Sequence, residues 1–385
     1  MPLSHINVLD LTRARSGPTC VRMLSEMGAQ VIRIEDPGGG DIGERHHFDF
    51  QNLQVNKRSL TLNLKTERGR TVFLKLAGLA DVVVENYRPD VKHRLGIDYD
   101  TLSAVNPRLV YASISGFGQT ARDRNRPGFD QIAQGMSGVM TVNGQPGQGP
   151  LLVGLPVADL TAGFMAAYGV VCALFERERS GRGQWVHTSL LQAMIRLMDH
   201  QAARYLITGD VPRQNGNNHP LFGASGVYKA RDGEFMIQAA GENMFERLCQ
   251  AVGAPELLQD ERFKTRAARY EHRTAFHEAI ERQLMIRDAA EWIDILTAAG
   301  VPSGPIYNVQ QCFADEQVQS LPLRAPVEHS TLGPMTLLGS GVNLERTPPS
   351  IRSAAPEPGE HTDEILAELG YSAAEIAELR EAGEV

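Results

Sequence analysis

Apolar and polar residues alternate along the N-terminal part of the chain in a way that predicts strands and helices in turn. The run "INVLDLT" predicts a buried strand, "GPTCVRMLSEMGA" has helical spacing, and "QVIRIE" predicts a second strand. A strand–helix–strand unit of about 30 residues has the length of a parallel crossover. The pattern continues through the strands "SLTLNL", "DVVVEN" and "RLVYASISGFG" and the helix "TERGRTVFLKLAGLA". The fold class predicted for this part is therefore α/β, with an open sheet.

Polar, turn-forming segments follow the predicted strands, and open α/β sheets bind ligands beyond the carboxyl ends of their strands. Basic residues are frequent near the strand ends: Arg13, Arg15, Lys57, Arg58, Lys65, Arg88, Lys92 and Arg94. The protein as a whole is acidic, with a formal net charge of −8. Basic residues gathered at one edge of an acidic protein indicate a small polyanionic ligand. The alternative for several of them individually is an ordinary solvated surface charge.

The stretch "GLPVADLTAG" places one carboxylate, Asp159, just before the apolar run "FMAAYGVVCALF". An Asp before a long helix is most often an N-cap. A nucleophilic role is compatible with this, because a helix N-terminus favours an ionised carboxylate and its N–H groups can stabilise an oxyanion. The small residues Gly154, Ala158, Ala162 and Gly163 are expected to leave room for a ligand. The spacing alone does not decide between the two roles.

A long helical region is predicted from Leu160 to about Leu206, with a break at "RSGRGQ" where Gly181 is a plausible C-cap. The apolar run after Asp159 is too short to span a bilayer, so a buried helix is expected. The composition then shifts through the linker "TGDVPRQNGNNHPLFGAS" into a mixed unit of strands and helices that ends near "VPSGPIYN". A chain of 385 residues is expected to form two domains.

The bulk composition excludes several classes of protein. Hydrophobic residues make up 42% and charged residues 22%, which is an ordinary globular balance. The net negative charge argues against a nucleic-acid or anionic-membrane partner. Four distant cysteines and the isolated pair His46 and His47 suggest neither a metal site nor a disulfide scaffold. The scattered thiols and the lack of a recognisable signal peptide predict a cytoplasmic protein.

A nicotinamide site is one alternative, because Glu35 ends the second strand, where a ribose-binding acid would lie. The turn "TRARSGPT" has one glycine where that fingerprint needs three, so this site is disfavoured. A nucleophile elbow of the form G-x-S-x-G is absent from the sequence.

Several longer motifs resemble one known family. They include "NVLDLTRARSGP", "MGAQVIRIEDPGGGD", "DVVVENYRPDVKHRLGIDY", "RPGFDQIAQGMSG", "VADLTAGFMAAYGVVCALFERERSGRGQWV" and "GVPSGPIYN". In this order, and spanning nearly the whole chain, they resemble the class III coenzyme A transferases, which include the formyl-CoA, carnitine and bile-acid CoA-transferases. The resemblance implies a Rossmann-like large domain with an inserted smaller α+β domain, and an interlocked homodimer. The expected limits are 1–205 and 325–385 for the large domain and 220–310 for the small one.

The resemblance also implies the reaction, which transfers CoA from an acyl-CoA donor to a free carboxylic acid through an aspartyl anhydride and an aspartyl-CoA thioester. Asp159 falls on the family's nucleophilic aspartate. The positions that resemble its CoA contacts are Arg15, Ser16, Leu62, Asn63, Leu64, Lys65, Asn86, Tyr87, Arg88, Arg94, Pro127, Gly128, Phe129 and Asp130. No metal and no cofactor beyond the CoA thioester substrate are expected. The expected partners are acyl-CoA, a small carboxylic acid and a second copy of the chain, with no nucleic acid and no membrane.

Two departures from the family and two alternatives remain. Asp36 stands where some members carry an Arg, which implies that one CoA contact is lost or moved. The segment "NGNNHPLFG" stands where formyl-CoA transferase has a glycine run, so formyl or oxalyl specificity is not indicated. The first alternative is a 2-methylacyl-CoA racemase of the same fold, whose proton-transferring His would fall where this chain has Phe129. The second is a non-catalytic acyl-CoA-binding protein. Arg45 hints weakly at a dicarboxylic acid as acceptor.

Overall fold

The computed structural model describes residues 1–39 and 44–385, so Gly40 and Asp41 of the motif "MGAQVIRIEDPGGGD" lie outside the described residues. The chain divides into two compact units. The first comprises Met1–Val139, Leu152–Asp210 and Leu321–Val385, and the second comprises Met140–Leu151 and Val211–Ser320. The domain limits and the interlocked dimer implied by the resemblance stay predictions.

A parallel sheet forms the centre of the first unit. Its strands are β1 (Asn7–Asp10), β2 (Gln30–Glu35), β3 (Lys57–Thr61), β4 (Val82–Glu85), β5 (Val110–Ser115) and β6 (Trp185–Ser189). Within the described residues their order is β3-β2-β1-β4-β5-β6, and each neighbouring pair is parallel. Strands β4 and β5 are buried at every position, as expected for parallel strands covered on both faces. The chain order reverses beside β1, between β1 and β4, and such a switch point is where open α/β sheets bind ligands.

The helices of the described residues are, in chain order, α1 (Ser16–Glu26), α2 (Phe48–Leu53), α3 (Glu67–Leu79), α4 (Pro89–Leu95), α5 (Tyr99–Val105), α6 (Asp130–Ser137), α7 (Val157–Ser180), α8 (Leu190–Leu197), α9 (Asp199–Thr208), α10 (Glu242–Ala251), α11 (Arg266–Glu271), α12 (Arg273–Leu284), α13 (Ala289–Ala298), α14 (Val309–Ala314), α15 (Glu316–Gln319), α16 (Thr362–Glu368) and α17 (Ala373–Glu381). Three more strands, β7 (Gly226–Lys229), β8 (Glu234–Ile237) and β9 (Ser303–Pro305), form the antiparallel sheet of the second unit. The hairpin of β10 (Arg324–His329) and β11 (Gly333–Leu338) belongs to the first unit.

Helix α7 packs closely against α1 through small residues. A Cβ on Gly163 would come within 2.6 Å of the backbone oxygen of Ser16, so this close approach requires glycine. Ala158 and Ala162 are fully buried in the same core. The expectation that Ala158, Ala162 and Gly163 leave room for a ligand is therefore wrong, because these small side chains let two helices approach.

The bounds of α7 also correct the sequence interpretation. The helix is 24 residues long, and by length and composition alone it could cross a membrane, so the judgement that the segment is too short does not hold for the helix. Within its most apolar window 44% of the residues are buried inside the structure, and core helices of soluble proteins pass the same test, so this is weak evidence for a membrane span. Gly181 ends the helix in the left-handed conformation with a φ of 71°, as predicted.

Strand β6 was missed. The region predicted to be helical up to Leu206 contains β6, which pairs with β5 at the end of the sheet. Gly183 brings the chain to that edge, since a Cβ there would lie 2.0 Å from the backbone oxygen of Leu109. The segment "WVHTS" is rich in β-branched and aromatic residues, which is the signal that could have identified it.

Candidate active site

The turn after β1 lies at the switch point of the sheet and is held by the end of β4. The backbone N–H of Arg13 donates to Oδ1 of Asn86 over 2.9 Å, and Nδ2 of Asn86 donates to the backbone oxygen of Arg13 over 2.7 Å. Ala14 follows with a φ of 57°, a left-handed conformation that is uncommon outside glycine and is often found at functional sites. Asn86, predicted as a CoA contact, uses its carboxamide to fix this turn.

Two cavities of about 420 and 590 Å³ open over the carboxyl ends of β1 to β4. Both are lined by Arg13, Ile34, Glu35, Asp36 and Gly39. The larger one brings together five of the predicted CoA contacts: Leu62, Leu64, Lys65, Tyr87 and Arg94. The position of this cleft agrees with the location expected from the strand ends.

The polar lining of the cleft combines cations with one acid that the sequence analysis noted as a departure. Nζ of Lys65 lies 2.7 Å from Oδ2 of Asp36, and this hydrogen bond lowers the pKa of Asp36. The guanidinium of Arg13 lies 5.6 Å from the centre of the Tyr87 ring. Arg13 lines both cavities, as expected of a basic residue after the first strand, although it was not among the CoA contacts that the resemblance implies.

Three of the basic residues noted near the strand ends are engaged elsewhere. Lys57 and Asp10 form a fully buried ion pair of 2.8 Å, and Lys92 and Glu85 form another of 3.0 Å. Arg58 pairs with acidic residues of α16. The interpretation of Lys57 and Lys92 as ligand-binding cations is wrong, because a buried ammonium group must be paired within the fold. The same interpretation of Arg58 is not supported, because its guanidinium is held by those carboxylates.

Other predicted CoA contacts do not line either cavity within the described residues. The backbone N–H of Asn63 donates to the backbone oxygen of Glu384, and Arg88 is an exposed partner of Asp90. Pro127, Gly128 and Phe129 precede α6. The Cβ that Gly128 lacks would lie 2.8 Å from the Cα of Gly116, and Phe129 is 65% exposed.

Asp159 lies in the first turn of α7, but it is not the N-cap. The helix begins at Val157 after Pro156, so Asp159 is the third helical residue. The cap is supplied from another helix, since Oδ2 of Asp130 accepts from the N–H groups of Ala158 at 2.8 Å and Asp159 at 3.1 Å. The prediction of an Asp159 cap is therefore wrong, and Asp130 performs that function.

Asp130 is buried and held in place by Gln134, one turn later on α6. Nε2 of Gln134 donates to Oδ1 of Asp130 over 2.5 Å, and its Oε1 accepts from the N–H of Val153 over 3.0 Å. The same amide also donates to the backbone oxygen of Leu155. This pair fixes the loop that leads into α7. It was missed as a pair, and its signal is the i,i+4 spacing in "DQIAQ".

The first-turn N–H groups of α7 are already engaged. Besides the two that Asp130 accepts, the N–H of Val157 donates to the backbone oxygen of Leu155 and the N–H of Leu160 donates to that of Pro156. The expectation that these groups form an oxyanion hole is therefore not met in this structure, because each has an acceptor within the protein.

The environment of Asp159 makes it an unusually basic carboxylate. Burial, followed by the negative charge of Asp130, raises its pKa from 3.8 to about 6. The positive charge of Arg15 and a hydrogen bond from the Ser16 hydroxyl act in the opposite direction. Arg15 in turn forms an ion pair of 2.5 Å with Asp49 of α2. At neutral pH Asp159 is mostly ionised, and it is a stronger base than an ordinary aspartate.

The predicted site residues thus fall into two groups joined by one turn. Leu62, Leu64, Lys65, Tyr87 and Arg94 line the cleft, while Arg15, Ser16 and Asp130 surround Asp159. Arg13 lines the cleft and Ser16 contacts Asp159, so the turn between them reaches both. In residues 1–39 and 44–385, no three or more His, Cys, Asp and Glu side chains are grouped in a way that could hold a metal ion.

Comparison with known proteins identifies the family. The family model described as CoA-transferase family III matches residues 3–362. The succinate–glutarate CoA-transferase of Agrobacterium fabrum is 35% identical to this chain, with 96% of both chains covered. The acetyl-CoA:oxalate CoA-transferase of Acetobacter aceti is 38% identical over 80% of this chain and 82% of its own.

A solved structure shows the same similarity. The crystal structure of a CaiB/BaiF family protein from Brucella suis superposes with a TM-score of 0.83 at 32% identity, covering 96% of this chain and 99% of that one. The chain therefore belongs to CoA-transferase family III and is a class III acyl-CoA:carboxylate CoA-transferase.

Proposed function

We propose that this enzyme transfers CoA between short carboxylic acids, at least one of them dicarboxylic, with Asp159 as the covalent nucleophile. The observation that carries the mechanism is the single turn Arg13 to Ser16, which links a cleft rich in cations to a partly buried, basic carboxylate. The dicarboxylic substrate is supported by the two transferases named above, one named for succinate and glutarate and the other for oxalate.

The proposed reaction has four balanced steps. A carboxylate oxygen of Asp159 attacks the thioester carbon of the donor, the C–S bond breaks, and CoA thiolate leaves a mixed anhydride. The thiolate then attacks the aspartyl carbon, which releases the donor acid and gives an aspartyl-CoA thioester. The acceptor carboxylate displaces the thiolate to form a second anhydride. Attack of the thiolate on the acceptor acyl carbon gives the product thioester and regenerates the Asp159 carboxylate, with no net proton transfer.

The surroundings of Asp159 suit these steps. The Ser16 hydroxyl and the Arg15 guanidinium are the charge-stabilising groups that the structure places beside this carboxylate, while the α7 N–H groups are already engaged. Partial burial limits the access of water to the anhydrides, which would otherwise hydrolyse. The route needs no cofactor beyond the CoA thioester.

The test is to trap the acyl group on Asp159. Incubation with an acyl-CoA and hydroxylamine should convert Asp159 to a hydroxamate, detected by peptide mass spectrometry, and Asp159→Asn should abolish both the label and CoA transfer. Asp294→Asn is a matched control, because Asp294 is exposed on α13 in the other unit. A folded Asp159→Asn with full activity, assayed before deamidation, would end the proposal.

We also propose that α7 contributes to a homodimer contact. One stripe of the helix exposes Phe164, Tyr168, Val171 and Phe175, with exposures between 44% and 74%. Their spacing of four, three and four residues places them on one face, and a second copy of the chain would cover it. Sedimentation should show a dimer at all concentrations, as interlocking implies. A reversible monomer below micromolar concentration would contradict interlocking, and binding to vesicles instead would indicate that the stripe contacts lipid.

A further inference from the structure

Arg15 is placed beside the proposed nucleophile by the contact between two helices. It precedes α1, and the next residue, Ser16, donates a hydrogen bond to Asp159. One turn beyond Asp159, Gly163 packs directly on the backbone oxygen of Ser16. The start of α1 and the first turns of α7 are therefore in contact, and this contact brings the Arg15 cation near the reacting carboxylate.

The partner of Arg15 in this structure can be exchanged. Arg15 pairs with Asp49 over 2.5 Å, but the two side chains keep 24% and 38% of their surface exposed. Such a partly exposed pair contributes little to stability, so opening it requires little free energy. The buried pair of Lys57 with Asp10, at 0% exposure for both side chains, is different, because its opening would leave an unpaired charge in the core.

Other cations near the cleft are less suited to this role. Nη2 of Arg45 pairs with Glu35, and its Nη1 donates to the backbone oxygen of Pro356. Lys65 lines the cleft and its ion pair with Asp36 is also exposed, but Arg15, not Lys65, is the cation whose charge acts on Asp159. The weak expectation that Arg45 recognises a dicarboxylic acid is therefore not supported, because its guanidinium is already used to hold the fold.

We propose that Arg15 determines acid specificity by binding the second, non-reacting carboxylate of a short dicarboxylic acid while the first is joined to Asp159. A substrate carboxylate has the charge and the planar geometry of the Asp49 side chain, and a guanidinium can bind it through one or two charge-assisted hydrogen bonds. Asp49 would hold Arg15 in place between turnovers and release it to the substrate. This inference rests on the proposed function, since it assumes that the acid reacts at Asp159.

The test compares succinate with butyrate as acceptors. The two acids have four carbons and differ in the second carboxylate. In an exchange through a covalent enzyme intermediate, kcat/KM for the acceptor does not depend on the donor, so one donor that the wild type accepts serves both. Assays at pH 8 keep Asp159 ionised even where the loss of Arg15 raises its pKa further. Arg15→Gln should lower the succinate-to-butyrate ratio of kcat/KM by about 10- to 100-fold, the range expected for one hydrogen-bonded charge contact.

Asp49→Asn is the matched control, because it breaks the same ion pair and keeps Arg15. It should preserve or increase the preference for succinate. The inference is overturned if each of the variants Arg15→Gln and Asp49→Asn lowers kcat/KM for succinate and for butyrate by the same factor. It is also overturned if the wild type shows no preference for succinate. Formation of the Asp159 hydroxamate, measured in parallel, separates the two proposals. If Arg15→Gln forms the Asp159 hydroxamate as the wild type does and its succinate-to-butyrate ratio of kcat/KM is unchanged, the role of Arg15 alone is refuted. If the wild type forms no hydroxamate at Asp159, the proposed function is refuted.

Discussion

Replacing Asp159 by Asn should stabilise the protein near neutral pH while removing activity. Burial and the charge of Asp130 raise the pKa of Asp159 from 3.8 to about 6 in the folded protein. The difference between these values corresponds to about 3 kcal/mol. That amount is an upper limit to the destabilisation caused by ionised Asp159, because the side chain is only partly buried.

The sign of the effect follows from proton linkage. The folded state holds the Asp159 proton more tightly than the unfolded state does, so the stabilisation by the protonated form is complete below pH 3.8. It is lost as the pH rises through 6. Asn does not titrate, so the two proteins should have similar stability at pH 4. Above pH 7 the variant should be more stable by up to about 3 kcal/mol.

Thermal unfolding between pH 4 and 8 measures this difference, with Asp294→Asn as the control for an exposed carboxylate. The Asp159→Asn curve should lie several degrees above the wild type at pH 7.5 and converge with it toward pH 4. Asp159→Ala should not show the loss expected of a missing N-cap, since Asp130 caps α7. A variant that is less stable than the wild type at pH 7.5, or a gap that is independent of pH, would refute the electrostatic account.

Three further predictions concern other residues. Asp130→Asn should move the acid limb of the kcat/KM profile to lower pH, because a negative charge that raises the pKa of Asp159 is removed. It should also reduce stability by roughly 1–3 kcal/mol, because the cap of α7 is weakened. An unchanged acid limb would contradict the role of the Asp130 charge in raising that pKa. No solvent deuterium should enter the α-carbon of 2-methylacyl-CoA thioesters, because Phe129 stands where racemases of this fold have a His; mass spectrometry detecting uptake as fast as CoA transfer would support the racemase instead. Burial lowers the pKa of His277 from 6.5 to about 4, so the stability contributed by its neutral form should be fully present above pH 6.5 and fall by up to about 3 kcal/mol as the pH drops toward 4. His277→Phe preserves the stacking on the ring of Tyr228 and should reduce this loss. If thermal unfolding of the variant and the wild type shows the same pH dependence, the assignment to His277 is wrong.

Local patterns predicted the strands and helices that carry their own signal. The second strand was predicted with the bounds that β2 has, and the first crossover has the expected form. Strand β6 was missed because it follows a long helix and is defined by its pairing with β5, which local periodicity does not report. The short helices α4 and α5 were also missed, since each has seven residues and contributes few apolar positions.

The candidate site was predictable in its residue types but not in its pairings. The sequence placed Asp159 correctly near the start of a helix, but it could not show that the cap comes from Asp130, which is 29 residues earlier. It also counted Lys57 and Lys92 as ligand-binding cations. Their burial in ion pairs depends on which strands are neighbours, and that is a property of the sheet.

Capping of α7 by Asp130 rather than by Asp159 itself has a chemical consequence. An Asp that capped its own helix would give its oxygens to backbone N–H groups, which would lower its pKa and make it a weaker nucleophile. Here Asp130 accepts those hydrogen bonds, so the oxygens of Asp159 are not used for capping, and the second negative charge makes Asp159 more basic. With a pKa of about 6, the carboxylate is basic enough to attack a thioester and is still mostly ionised at pH 7. Arg15 and Ser16 keep the pKa from rising further, so removing either should shift the balance from reactive anion toward inert acid.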